Sequence, residues 1–334
     1  MDTTIIKKTV LSGIQPSGTL TIGNYIGSLS RWPKMQDEYN CYLFLADLHA
    51  ITVDQNPAEL RAKTLDLLAA YLAVGLDPQK CAVFVQSHVP AHAELAWVLN
   101  CLTPFGEARR MTQFKEKAAQ NPDNVNLGLL TYPSLQAADI LLYQADFVPI
   151  GEDQKQHLEM ARNLAVRFNN KYSPTFAVPE PLIASRKGGS RIMSLQEPAK
   201  KMSKSDPNEN AVVALFDDAD AISRKFKRAV TDSGDSVKYA ADKPGVSNLL
   251  SIYCAFSGLS MTDAEREFEG MGYGGFKTRV AECVISVLTP MRKKYLELTA
   301  SKDYLKSILK EGAEKASYTA RKTLQKVYKK IGFI

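Results

Sequence analysis

Four short apolar runs alternate with helical text in the first half of the chain, and this alternation restricts the fold more than any other feature. "KTVLSG", "CYLFLADLHAIT", "AVFVQSH" and "DFVPIG" read as buried strands. Between them, "PAELRAKTLDLLAAYLAVGLDP" sets Leu60, Thr64, Leu67, Leu68 and Tyr71 on one helical face and stops at Gly75. "HAELAWVLNCLTPFG" and "LLTYPSLQAADILLYQAD" are helical as well. Strand, helix and strand in this rhythm predict an α/β fold, a doubly wound parallel sheet with helices on both faces. In such sheets ligands sit beyond the carboxyl ends of the strands.

After about residue 205 the strand pattern gives way to amphipathic helices, among them "DDADAISRKFKRAVTD" and "FKTRVAECVISVLTPMRKKYLELTASKDYLKSILKEG". The 334 residues suggest about two domains. No run of ~18 uncharged apolar residues occurs, which predicts a cytoplasmic protein without a membrane span. Five cysteines without a C-x-x-C pair argue against a disulfide framework or a zinc site. The net charge of +6 is concentrated: residues 301–334 hold nine Lys or Arg and three Asp or Glu, a solvated helix face or a footprint for phosphates.

Three segments are directed toward anions. In "SGIQPSGTLTIGNYIGSL" a strand runs into a turn and Thr21 can cap the helix that follows, with Gly23 in its first turn. This is either a tight strand-to-helix turn or a cradle for a phosphate. In "VPIGEDQKQH", Glu152 and Asp153 follow Gly151 at a helix start, where carboxylates serve as dipole partners or hold ribose hydroxyls. In "EPAKKMSKSDPN", Lys201 and Lys204 are flexible point charges in a polar loop bounded by Pro198 and Pro207, suited to phosphate or simply to solvent.

Taken together and in order, "PSGTLTIGN", "MTQFKEK", "YPSLQAADILLY", "VPIGEDQKQH", "RIMSL" and "KMSKS" resemble the bacterial-type tryptophanyl-tRNA synthetases, a family of class I aminoacyl-tRNA synthetases. "KMSKS" is identical to the second class I signature, and "PSGTLTIGN" is similar to the first, HIGH, with Thr21 and Asn24 in place of its histidines. The resemblance implies a Rossmann-like fold that binds ATP between the two signatures, with Mg²⁺, and transfers an adenylyl group to tryptophan before acylating tRNA(Trp). It implies catalytic roles for Lys117, Lys201, Lys204, Thr21 and Asn24. It implies ATP contacts from Gln15, Pro16, Ser17, Gly23, Asn24, Gly151, Glu152, Asp153, Ile192, Lys201, Met202, Ser203, Lys204 and Ser205.

For the amino acid, the resemblance points to Asp139 as acceptor of the indole N–H, with Tyr132, Gln136, Gln154 and His49 around the substrate. Alone, an Asp in an apolar helix reads as a satisfied buried polar group. Gln136 stands where many bacterial members have Met, and Q-x-x-D also resembles the tyrosyl enzymes, so tyrosine specificity is a second reading and a silent RNA-binding paralogue a third. His88, His92 and His157 are set aside as structural. The family pattern further implies a catalytic domain over 1–204, a helical anticodon-binding domain over 205–289, and C-terminal helices over 290–334 with the last packing back on the catalytic domain. It implies a homodimer, with no DNA or membrane partner. Arg224, Lys225, Lys227 and Arg228 form a basic cluster in the helical half.

Overall fold

Unbroken apolar runs become strands. In a computed structural model describing residues 7–120, 122, 125–151, 154–182, 191–203 and 206–334, the strands are β1 (Thr9–Ile14), β2 (Asn40–Leu45), β3 (Ala82–Val85), β4 (Phe147–Pro149) and β5 (Glu180–Leu182). All pairs are parallel and the order is β3-β2-β1-β4-β5. Val10 lies opposite Cys41 and Phe147, and Tyr42 opposite Ala82. Because side chains alternate along a strand, Val10, Leu43, Leu45, Val83 and Val85 enter one core, while Leu11, Tyr42, Phe44 and Phe84 enter a second on the opposite face.

Helices fill the crossovers that parallel strands require. α1 (Ile22–Gly27) and α2 (Trp32–Glu38) join β1 to β2, and α3 (Asp47–Ala50) and α4 (Pro57–Ala73) join β2 to β3. α4 starts on the Asn56 side-chain cap and ends where Gly75 takes φ +108°. α5 (Ala91–Asn100), α6 (Phe105–Arg110), α7 (Thr112–Gln120) and α8 (Leu127–Leu142) lie between β3 and β4, and α9 (Lys155–Lys171) between β4 and β5. α5 packs on α8 and α8 on α9.

The second half is helical: α10 (Ala219–Lys227), α11 (Pro244–Ser257), α12 (Met261–Glu267), α13 (Tyr273–Ala300) and α14 (Lys302–Ile331). Phe226, Val246, Leu249, Phe276 and Val280 continue the first core. α13 reaches back to α4 through Tyr295, whose hydroxyl donates to Asp66 (2.7 Å) and whose ring stacks on Phe216 with centroids 3.9 Å apart. α14 lies along the outer edge of β3: a Cβ on Gly312 would sit 1.7 Å from the Val83 carbonyl oxygen, so only glycine permits this approach. Tyr42 on β2 meets Thr319 (2.9 Å), and the Tyr328 hydroxyl donates to Glu94 on α5 (2.7 Å).

The strand order reverses between β1 and β4. The carboxyl ends of these two strands mark the position at which doubly wound sheets hold ligands.

Candidate active site

β1 ends at Ile14, and the chain turns through Gln15, Pro16 and Ser17, with the Ser17 amide donating to the Gln15 carbonyl (2.8 Å). Thr21 then caps α1 in a reciprocal box: its Oγ1 accepts from the Asn24 amide (3.4 Å) and its own amide donates to Asn24 Oδ1 (2.9 Å). The Thr21 hydroxyl also points at Asn24 Oδ1 (3.2 Å), and Thr21 is 3% exposed. The Thr21 hydroxyl is thus engaged within the cap, and Asn24 keeps its side-chain nitrogen as donor. Most amides of this first turn are already engaged. Ile22 donates to Val213 (3.0 Å) and Asn24 to Thr21, which leaves Gly23 as the first-turn amide without a partner among the described residues. A Cβ on Gly23 would meet Thr21 Oγ1 at 3.3 Å and Ile192 Cβ at 3.7 Å.

The second signature is held against the first by a narrow antiparallel ribbon. Met193 pairs with Lys201, the Met202 amide donates to the Ile192 carbonyl (3.1 Å), and the Ser194 amide to Lys200 (2.9 Å). Along the ribbon Met202 is buried at 6% exposure, while Lys201 and Ser203 face outward, so the methionine anchors the strand and the lysine stays accessible. Lys200 pairs with Glu197 at the surface (2.5 Å). Asn248 on α11 clamps the ribbon with two hydrogen bonds to Met193, Nδ2 to its carbonyl and Oδ1 from its amide, both 2.9 Å. Lys204, Ser205, Glu152 and Asp153 lie outside the described residues. Gly151 follows β4 and its carbonyl accepts from the Gln154 amide (3.1 Å).

The amino-acid end is built on α8, where the spacing 132, 136, 139 puts Tyr132, Gln136 and Asp139 on one face. Asp139 is 1% exposed. His49 Nε2 lies 2.8 Å from its Oδ2, while His92 Nδ1 (2.6 Å) and Gln86 Nε2 (2.7 Å) reach Oδ1. Burial works to raise the pKa of this carboxyl, but the hydrogen bonds and charges of His49 and His92 prevail and hold it at about 2, so it is ionised. The Tyr132 hydroxyl lies between Gln113 Oε1 (3.1 Å) and His157 Nε2 (2.8 Å), and the Lys117 ammonium sits 5.0 Å from the Tyr132 ring centroid. Burial lowers the pKa of Lys117 and raises that of Tyr132. Gln136 Nε2 donates to Gln154 Oε1 (3.4 Å).

Two groups of sequence-predicted residues are therefore assembled: Gly23 and Asn24 beside Ile192 and the ribbon, and Asp139, His49, Tyr132, Gln136, Gln154 and Lys117 around α8. Two of the histidines set aside as structural belong to the second group. His92 bonds Asp139 and His157 bonds Tyr132, whereas His88 is exposed and lines a surface cavity together with residues of α14. Sequence reasoning also missed Gln86, Gln113 and Tyr143, since their partners lie 19 to 53 residues away and no short spacing encodes them. "CYLFLADLHAIT" is not one strand: β2 stops at Leu45, and Asp47 turns the chain into α3, accepting hydrogen bonds from the Leu48 amide (3.0 Å) and, across the β3 exit, from Ser87 (2.9 Å). In the basic cluster of α10, Lys225 is paired with Asp217 (2.6 Å), leaving Arg224, Lys227 and Arg228 exposed.

Residues 7–289 match the family described as tRNA synthetases class I (W and Y). A tryptophan–tRNA ligase of Clostridium tetani is 55% identical over 328 residues, covering 98% of this chain and 96% of that protein. One from Clostridium acetobutylicum is 53% identical, covering 98% of each. Among solved structures, tryptophanyl-tRNA synthetase from Mycoplasma pneumoniae superposes with a TM-score of 0.87 at 37% identity over 98% of this chain and 99% of that one. The Campylobacter jejuni enzyme complexed with ADP and tryptophan gives 0.84 at 34% identity over 97% and 100%. With the fold, the order of its signatures and these relatives in agreement, the chain belongs to the class I tRNA synthetases of the tryptophan and tyrosine branch.

Proposed function

We propose that the chain is a tryptophan–tRNA ligase: it activates L-tryptophan with ATP to tryptophanyl-adenylate and pyrophosphate, then passes the aminoacyl group to the 3′ end of tRNA(Trp). The observation that carries this reading is Asp139, an ionised carboxylate buried at 1% exposure on the α8 face that also bears Tyr132 and Gln136. A side chain without a donor, such as phenylalanine, would leave that carboxylate one hydrogen bond short, and sites of this kind reject such analogues by ~10⁴-fold or more. The tyrosine reading is not favoured, since the relatives at 53% and 55% identity are tryptophan ligases, while a tyrosyl-tRNA synthetase structure from Aeropyrum pernix is 22% identical and supports the fold alone.

In the activation step the tryptophan carboxylate attacks the α-phosphorus, the bond to the bridging oxygen breaks, and pyrophosphate departs with the charge. The attacking group is already ionised, so no general base is needed. Cations that tighten on pyrophosphate as it leaves lower the barrier. We assign this to Lys201 on the ribbon, to Lys204 just beyond the described part of it, and to Lys117, whose burial beside Tyr132 makes its charge costlier in the ground state and more strongly felt by an anion. Gln15, Pro16, Ser17, Gly23, Asn24, Gly151, Ile192, Met202 and Ser203, with Glu152, Asp153 and Ser205, are proposed to line the nucleotide. Mg²⁺ is proposed to arrive on the ATP phosphates as part of the substrate.

For tRNA we propose that the helical half over 205–289 reads the anticodon, with Arg224, Lys227 and Arg228 along the backbone, and that residues 290–334 add further cations. Among the described residues, no helix is long and apolar enough to cross a membrane. Trp97 (68% exposed), Phe105 (65%) and Leu127 (78%) are proposed to face a second copy in a homodimer. ATP–pyrophosphate exchange with tryptophan and then tyrosine tests the reading. Stimulation by tryptophan alone, followed by acylation of tRNA(Trp), is the expected result; stimulation by tyrosine, or by neither, overturns it.

A further inference from the structure

Asp139 has a hydrogen-bond arrangement that fixes more than its charge. An ionised carboxylate only accepts, so the close contacts from His92 Nδ1 (2.6 Å) and His49 Nε2 (2.8 Å) require a proton on each of those nitrogens. With Nδ1 turned to Asp139, Nε2 faces the Tyr143 hydroxyl at 2.8 Å. The Tyr143 hydroxyl, which can donate or accept, completes the second ring nitrogen while Nδ1 stays on Asp139. The His92 ring is 0% exposed and held between aromatic rings, with centroids 5.9 Å from Phe44, 5.9 Å from Phe84 and 5.5 Å from Tyr143. It has no freedom to point elsewhere.

Counting acceptor sites gives the consequence. Each carboxylate oxygen offers about two. Among the described residues, Oδ1 receives His92 and Gln86 and is filled, while Oδ2 receives His49 alone. One acceptor site remains, and it is on Oδ2.

We propose that His92 is a positioning residue for amino-acid selection: by saturating Oδ1 together with Gln86, it turns the single unfilled lone pair of Asp139, on Oδ2, toward the incoming indole N–H. This rests on the tryptophan reading of the site. His49 shares Oδ2 with the substrate, and Tyr143 acts one step further back, by holding the His92 ring through Nε2. Without the Nδ1 donor, the carboxylate has two open sites and can rotate, so an N–H on the substrate is no longer the one group that completes it.

Two substitutions of similar size separate this from a packing role. His92→Asn carries an amide nitrogen near the place of Nδ1 and keeps a donor for Oδ1; His92→Gln carries its amide near Nε2, retaining a partner for Tyr143 while withdrawing the donor from Asp139. The measurement is ATP–pyrophosphate exchange with tryptophan and with the analogue bearing sulfur in place of the indole N–H, read as the ratio of kcat/KM for the two. In His92→Gln the ratio is expected to fall about tenfold, the worth of a charge-assisted hydrogen bond, mainly through a higher KM for tryptophan and with KM for ATP unchanged. In His92→Asn it is expected to recover to within about threefold of the unsubstituted enzyme. Equal ratios in both variants, or a loss confined to His92→Asn, would overturn the proposal. Absence of tryptophan-dependent exchange in the unsubstituted enzyme would instead strike at the function itself.

Discussion

Buried carboxylates normally drift toward neutrality, and Asp139 is held against that drift by two imidazoles. Its pKa in the folded chain, about 2, lies below the ordinary value of 3.8, so the unfolded state binds its proton first as the pH drops. The stabilisation from this ionised group is therefore complete above about pH 5 and is lost as the pH falls through 4 toward 2, a change of about 2 kcal/mol. We expect the stability gap between the unsubstituted chain and Asp139→Asn, measured by urea denaturation, to narrow by about that amount over this window. A gap independent of pH would mean that the two histidines do not govern its charge. At this scale the sequence was legible wherever chemistry sits in a contiguous motif: "KMSKS" announces cations, and "LQAADILLY" places Asp139. It was silent about His92 and Gln86, which reach Asp139 from 47 and 53 residues away through the fold of β3 and α5. Thr21 was legible as a cap, but that its hydroxyl is used up within the cap depends on Asn24 turning back on it.

Elements were readable where they are long or buried on both sides. β1, β2 and β3 are continuous apolar runs, and α4 carries both a capping residue and a glycine stop. β5 is three residues, one of them proline, and owes its place to pairing with β4 rather than to any pattern of its own. The sequence of the ribbon carrying Lys201 reads as a polar loop, yet its backbone is tied to Asn248 of α11, and Leu195 within it accepts from Val230 (2.8 Å). A displacement of α11 must therefore displace the ribbon. We expect Asn248→Ala, which removes two hydrogen bonds worth about 1 kcal/mol each, to lower kcat for tryptophan-dependent exchange about tenfold with little change in KM for tryptophan. Steady-state exchange kinetics check this. A rise in the tryptophan KM at unchanged kcat would show that the clamp serves the amino-acid end instead.

Across the whole molecule, one core runs from the first sheet face into the helical half, and the opposite face carries a second core capped by α5, α8, α9 and α14. The apolar side chains left outside these cores are informative: Trp97 and Phe105 flank the α5–α6 connection at 68% and 65% exposure. If they seat a second copy, Trp97→Lys should weaken self-association by about thirtyfold or more, as expected for a tryptophan anchor, and sedimentation velocity at micromolar concentration should then register monomer. An unchanged sedimentation coefficient would locate the contact elsewhere. Such a partner surface was not legible in the sequence, because an exposed tryptophan and a buried one occupy the same kind of helical slot. The last helix adds a consequence for biosynthesis. Until residue 312 has arrived beside residue 83, the border of the sheet offers unpaired amide and carbonyl groups to any neighbouring chain. Nascent or clipped molecules that stop short of α14 would then be lost to precipitation before they could be scored for activity.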